Sequence, residues 1–279
     1  MAVKTILACL TDRETADAVL GCAVPLARAH GAHLICLHTV EALLVYPGIA
    51  MHVPDAIFAS FNDSQKQEAD AIKAIFAKHT DPEDFASEWR LLRTESATAA
   101  ERLIESSRAA DLVIMSRENP DNGRFDQGHI QIRVIRESGR PVIIVPPSYD
   151  GPMVGKNIVL GWSDTREAAR AAHDLLSLTA DGAEISLVRV DAPNADELSD
   201  FDAIDLAAMY ARHGLRAQTV HRSRNGTDIA SVLLKFAFEQ GADLVATGAF
   251  GHSRVYDFVI GAVTYKLLSD AKVPVLFST

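Results

Sequence analysis

Short, continuous apolar runs alternate along this chain with longer stretches in which apolar residues recur every three to four positions. In the second half the alternation predicts strand 157–162, helix 165–178, strand 183–190, helix 197–213, strand 215–221, helix 227–240, strand 243–247, helix 261–270 and strand 273–278. Runs such as Asp243-Leu244-Val245-Ala246-Thr247 lack the every-other-residue polarity of a half-exposed strand and suit a parallel sheet covered on both faces. Gly182 and Gly214 stand where a left-handed helix cap is wanted, and Thr227 or Asp228 can cap the helix that follows. Strand–helix alternation with short connections predicts a doubly wound α/β fold, with ligands expected beyond the carboxyl ends of the strands.

The pattern occurs twice. Lys4-Thr5-Ile6-Leu7-Ala8-Cys9-Leu10-Thr11-Asp12 reads like Lys156-Asn157-Ile158-Val159-Leu160-Gly161-Trp162-Ser163-Asp164. Ala110-Asp111-Leu112-Val113 returns unchanged as Ala242-Asp243-Leu244-Val245, and Arg140-Pro141-Val142-Ile143-Ile144-Val145 is echoed by Val273-Pro274-Val275-Leu276-Phe277. Three matches in one order imply two copies of one domain, at 1–148 and 153–279, joined by a Pro- and Gly-containing linker near residue 150. The first copy is longer in its middle. The extra length falls near 41–64, where Tyr46-Pro47-Gly48 and Val53-Pro54 predict an irregular excursion before a helix from Gln65 to Lys78.

Composition narrows the function. The chain has 279 residues, 48% of them hydrophobic, and a net charge of −10 shared by both halves, which argues against a nucleic-acid binder. The longest apolar runs are strand-sized and the first twelve residues carry no signal-peptide core, so neither a membrane span nor secretion is expected and a cytoplasmic location is. Cys9, Cys22 and Cys36 form no CxxC pair and read as small buried hydrophobes; the ten histidines show no metal-binding spacing. His30, next to Gly31, is expected at a helix C-terminus, where a protonated ring would meet the negative end of the dipole. Trp89 and Trp162 read as core or inter-domain packing, and Arg166-Glu167-Ala168-Ala169-Arg170 as an exposed, ion-paired helix face.

The strongest chemical signal follows the strand ending at Thr247. Gly248-Ala249-Phe250-Gly251-His252-Ser253-Arg254, nine spacer residues and Gly261-Ala262-Val263 make a G-x2-G-x9-G pattern. Glycines there let backbone approach a ligand, Gly261 opens a helix whose free N–H groups attract an anion, and Ser253 and Arg254 offer a hydroxyl and a charge. The nucleoside-triphosphatase loop G-x4-G-K-[ST] and the dinucleotide fingerprint G-x-G-x-x-G are both missing from the sequence.

This constellation, with the closing Val273-Pro274-Val275-Leu276, resembles the universal stress protein family, and the duplication resembles its tandem members. The resemblance implies two domains, each a five-stranded parallel sheet of Rossmann-like or flavodoxin-like order, of the adenine nucleotide alpha hydrolase-like kind. It also implies pairing through the last strands, satisfied within the chain as an intramolecular pseudo-dimer, with homodimerisation as a further option. In nucleotide-binding members ATP lies between the first and fourth strands. Carried over, Gly248, Gly251 and Gly261 match the phosphate pattern, with His252, Ser253 and Arg254 in the loop and Val263 following in the helix. Ala262 departs from the hydroxyl residue favoured there, Ser163-Asp164 replaces the usual Asp and Gly-Ser turn beside the ribose, and Val190 matches the adenine position.

In the first copy Ser116 and Asn119 replace two of the glycines, Glu118, Asp121 and Pro120 crowd the loop, and Gly128 alone remains, so one competent site is expected at most. The implied function is a stress-response signalling or binding protein that takes ATP or a related adenine nucleotide, with or without Mg, in its second domain and meets a protein partner. The alternative is a non-nucleotide scaffold or small-ligand binder whose glycine loop is a structural turn. Lacking a G-x-S-x-G elbow, a His-paired cysteine or a placeable carboxylate pair, the sequence supports at most slow ATP hydrolysis.

Overall fold

In the computed structural model the chain is described at residues 3–41, 54–94, 98–117, 127–151, 154–191, 201–251 and 261–279. The apolar runs of the first copy form β1 (Thr5–Cys9), β2 (His33–Glu41), β3 (Ser87–Thr94), β4 (Leu112–Ser116) and β5 (Val142–Val145). Those of the second form β6 (Asn157–Gly161), β7 (Glu184–Asp191), β8 (Arg216–Ser223), β9 (Leu244–Gly248) and β10 (Val275–Ser278). The connecting helices are α1 (Arg13–His30), α2 (Asp55–Thr80), α3 (Ala99–Ser107), α4 (Gln127–Glu137), α5 (Arg166–Leu175), α6 (Phe201–Arg212), α7 (Ile229–Glu239) and α8 (Ala262–Asp270). Among the described residues no helix is long and apolar enough to cross a membrane.

The strands form one ten-stranded sheet in the order β3-β2-β1-β4-β5-β10-β9-β6-β7-β8. Neighbours are parallel except at the middle, where β10 pairs antiparallel with β5 through Val275–Ile144, Leu276–Ile143 and Phe277–Val142. Each copy thus contributes five parallel strands, and the join removes one exposed edge from each. The antiparallel join also points the carboxyl ends of the two halves in opposite directions.

Two apolar layers run the length of the sheet, one on each face. Helices α1, α2, α5 and α6 bury Leu20, Leu26, Ile72, Ala171, Leu175 and Tyr210 on one side. Helices α3, α4, α7 and α8 bury Leu103, Val134, Leu233, Phe236 and Leu267 on the other. Central strands are covered on both faces, which is why β1, β4 and β9 carry unbroken apolar sequence. Tyr210 is fully buried and satisfies its hydroxyl by donating to the Ala172 carbonyl at 2.8 Å.

Several local expectations need correction. Helix α2 begins at Asp55, ten residues before Gln65, so the excursion expected over 41–64 is helical from 55 onward; residues 42–53 lie outside the described residues. His30 does end α1 against the left-handed Gly31, but burial, followed by the charge of Lys4, holds its pKa below the ordinary 6.5. The fold therefore favours the neutral ring, not the protonated one, because desolvation and a nearby cation outweigh the dipole. Burial also pushes the thiols of Cys9 and Cys22 up to about 12, as fits small core residues. Trp89 packs on Phe76, ring centroids 5.8 Å apart, beside His38 at 6.3 Å.

Candidate functional site

In the second copy the chain reverses its direction of travel across the sheet between β6 and β9, the neighbours from which strand order proceeds outward on either side. Helices that follow such strands leave on opposite faces, so a cleft opens beyond their carboxyl ends. Here it is a cavity of about 700 Å³, within the usual range for small-molecule sites.

Three helix starts border it. At α5, Thr165 is the N-cap, its Oγ1 accepting from the Ala168 N–H at 3.2 Å. At α7, Asp228 caps the Ser231 N–H at 2.9 Å, and Ile229 lines the wall. At α8, the N-cap is Gly261, which has no side chain to cap with. The first-turn N–H groups of α8 have no intrahelical partner and sit at the positive end of its dipole. Gly261, Ala262, Val263 and Thr264 all face the cavity. The remaining wall is mostly apolar: Trp162, Val188, Val190, Leu233 and Phe250, with the hydroxyls of Ser163, Thr165 and Thr247 among them.

The glycines differ in what requires them. A Cβ at Gly248 would lie 2.5 Å from the Ala168 nitrogen and 2.5 Å from the Glu167 carbonyl carbon. At Gly251 it would meet Glu167 Oε2 at 2.8 Å and Thr165 Oγ1 at 3.2 Å. Gly248 is thus demanded by the backbone at the start of α5, whereas at Gly251 the nearest atom is the free end of the Glu167 side chain, which can turn aside. Gly261 is different, because its added Cβ would meet only Thr264 Oγ1, at 3.9 Å. Between the first two, Phe250 adopts φ +65°, a left-handed conformation unusual for a bulky residue and a sign of local strain.

Of the residues expected from sequence, Gly248, Gly251, Gly261, Ala262, Val263, Ser163 and Val190 come together around the cavity. Asp164 is exposed and is not among the lining residues; Ser163 and Thr165 on either side of it are. His252, Ser253 and Arg254 lie outside the described residues. Glu167, expected on an exposed face, is buried because the Gly248–Gly251 loop lies over it, and its carboxylate pairs with Arg166. The ion pair on the outer face of α5 is instead Arg170 to Asp174, at 2.9 Å. Trp162 packs against the core, as expected of it, and also borders the cavity. Lys266 is turned toward Asp228 at 2.8 Å, and that contact, with the Ser231 N–H, holds the Asp228 carboxyl far below the usual range.

The corresponding strand end in the first copy carries a side chain in place of glycine. Ser116 stands at the β4 position equivalent to Gly248, and buried Gln131, on α4, donates from Nε2 to the Ser116 carbonyl at 2.7 Å. Asn119 lies outside the described residues.

The sequence profile of the universal stress protein family matches residues 2–146 and again 155–278. The chain belongs to the universal stress protein family. A curated relative, the universal stress protein Slr1230 of Synechocystis sp., is 22% identical over 171 residues, covering 60% of this chain and 57% of its own length. This universal stress protein also shares its fold with one from Archaeoglobus fulgidus, at TM-score 0.69 and 14% identity over 99% of this chain and 98% of that one. A Pseudomonas aeruginosa protein described as functionally unknown, PA1789, superposes at TM-score 0.57 and 13% identity, covering 99% and 92%.

Proposed function

We propose that this tandem universal stress protein is a cytoplasmic, nucleotide-responsive binding protein that takes ATP or a related adenine nucleotide in the cavity of its second domain. The observation carrying this reading is the cavity's division into two chemistries. One end is the uncapped start of α8, which favours an anion. The other is a wall of Val188, Val190, Leu233 and Trp162, which suits a flat heteroaromatic ring. In this assignment Gly261, Ala262 and Val263 offer backbone N–H groups to phosphate, Val190 lies against adenine, and Ser163 or Thr165 meets the ribose. His252, Ser253 and Arg254 complete the loop, and a divalent ion such as Mg would enter with the phosphates. Occupancy would then bias a surface read by a protein partner.

A second reading has its own support. Gly248 is needed by packing whether or not a ligand binds, and Ala262 brings no hydroxyl. On that reading the same cavity takes a small apolar ligand and the protein acts as a scaffold. Equilibrium dialysis of labelled ATP and AMP against the purified chain decides between them. Saturable binding at one site per chain supports the nucleotide, and no binding at millimolar concentration rejects it.

A further inference from the structure

Helix α8 presents its first turn to the cavity, and its other end is finished in an unusual way. No basic residue of its own stands in its last turn, whereas α4, its counterpart in the first domain, carries Arg136 there. The cation comes from the other domain. Arg117, directly after β4, donates from Nη1 to the Ser269 carbonyl at 2.7 Å and to the Ala271 carbonyl at 2.8 Å. These carbonyls belong to the group that a helix C-terminus leaves without intrahelical partners, and a guanidinium there also answers the negative end of the dipole.

The backbone shows which residue of the second domain corresponds to Arg117. Its N–H donates to the carbonyl of Val145, the last residue of β5, and the N–H of Ala249 donates in the same way to Ser278, the last residue of β10. Arg117 and Ala249 therefore hold the same place in the two loops. Ala249 has no side chain with which to return the contact, so the contact runs one way, from the degenerate loop to the helix that borders the cavity.

We propose that Arg117 is a positioning residue, a brace from the first domain that fixes α8 and so sets the rigidity of the cavity wall in the second. Nine residues make a helix about 14 Å long that moves as one body, so releasing its C-terminal end loosens the turn containing Gly261 to Thr264. The brace has a regulatory side, which rests on the nucleotide reading above. An anion at the start of α8 and a cation at its end stabilise the same dipole, so binding and bracing reinforce each other. The first-domain loop would then have lost its phosphate glycines while keeping a use.

The test uses the full chain as wild type, Arg117→Ala, Arg117→Lys and the core-trimming control Ile72→Val, which lies on α2 far from α8. Amide hydrogen exchange is followed at Tyr265 and Lys266, and ATP and AMP are titrated in parallel. In Arg117→Ala both amides should exchange roughly fivefold faster or more, with part of the protection regained in Arg117→Lys, and nucleotide affinity should fall by a similar factor. The control should shift α8 no more than the rest of the chain. Equal exchange in Arg117→Ala and Ile72→Val would overturn the brace. Faster exchange with unchanged affinity would overturn its regulatory side alone. Failure of the wild type to bind either nucleotide would reject the nucleotide reading and with it the regulatory side, and the exchange data would still judge the brace.

Discussion

Gly248→Ala puts the packing of the glycine loop to a quantitative test. The added methyl would sit 2.5 Å from two backbone atoms of α5 and 2.8 Å from Glu167 Cβ, where real Cβ contacts essentially never fall below 3.0 Å. None of these atoms is the free end of a flexible side chain, so the start of α5 must retreat from the end of β9. Glu167 and Ala168 are buried there and Thr165 caps the turn, so the retreat disturbs packing and cap together. Overpacking in a well-filled core costs about 1–3 kcal/mol, and a double backbone clash belongs at the upper end, about 3 kcal/mol. For a chain of this size that is a fall of roughly 6–12 °C in Tm. Urea unfolding followed by circular dichroism measures the loss, with Gly261→Ala as control. Its added methyl meets only Thr264 Oγ1 at 3.9 Å, so that change should cost under about 1 kcal/mol. A loss below about 1 kcal/mol for Gly248→Ala, or one no larger than that of Gly261→Ala, would refute the packing argument.

Three further outcomes follow. Tyr210→Phe removes the buried hydroxyl bond to the Ala172 carbonyl while keeping the ring, and should lower the unfolding free energy by about 1 kcal/mol in the same urea assay. Because His30 titrates below its ordinary 6.5 in the fold, the unfolded chain binds its proton first. This histidine's contribution is therefore intact above pH 6.5 and declines as pH falls below it, and His30→Gln should flatten that part of the Tm-against-pH curve. Trp162 borders the cavity while Trp89 is packed on Phe76 and His38, so in Trp89→Phe the remaining fluorescence should respond to added nucleotide.

Much of the architecture is legible in the sequence because central strands covered on both faces must be continuously apolar, and Leu244 to Thr247 could be little else. Helix α2 shows where that logic ends. Its buried side chains, Ala69, Ile72, Phe76 and Thr80, all lie in its second half, whereas the apolar residues of its first turns include the exposed Ile57 and follow directly on Val53-Pro54, which reads as a break. The turn before α5 is ambiguous in sequence for a different reason. Ser163, Asp164 and Thr165 are all residue types that cap helices, and the fold uses Thr165. Glu167 and Arg117 were illegible because their surroundings come from distant sequence, the Gly248–Gly251 loop in one case and the end of α8 in the other.

Gly261→Asp separates ligand chemistry from folding most cleanly. The position is an N-cap without a capping side chain and has room for one, so aspartate should hold or slightly raise Tm by accepting from the first turn of α8. The same carboxylate would stand at the proposed phosphate position. Equilibrium dialysis with labelled ATP and AMP should therefore show saturable binding to the wild type and at least roughly tenfold weaker binding to the variant, with Tm unchanged or higher. Equal binding by both proteins, or none by the wild type at millimolar nucleotide, would contradict the assignment of the cavity.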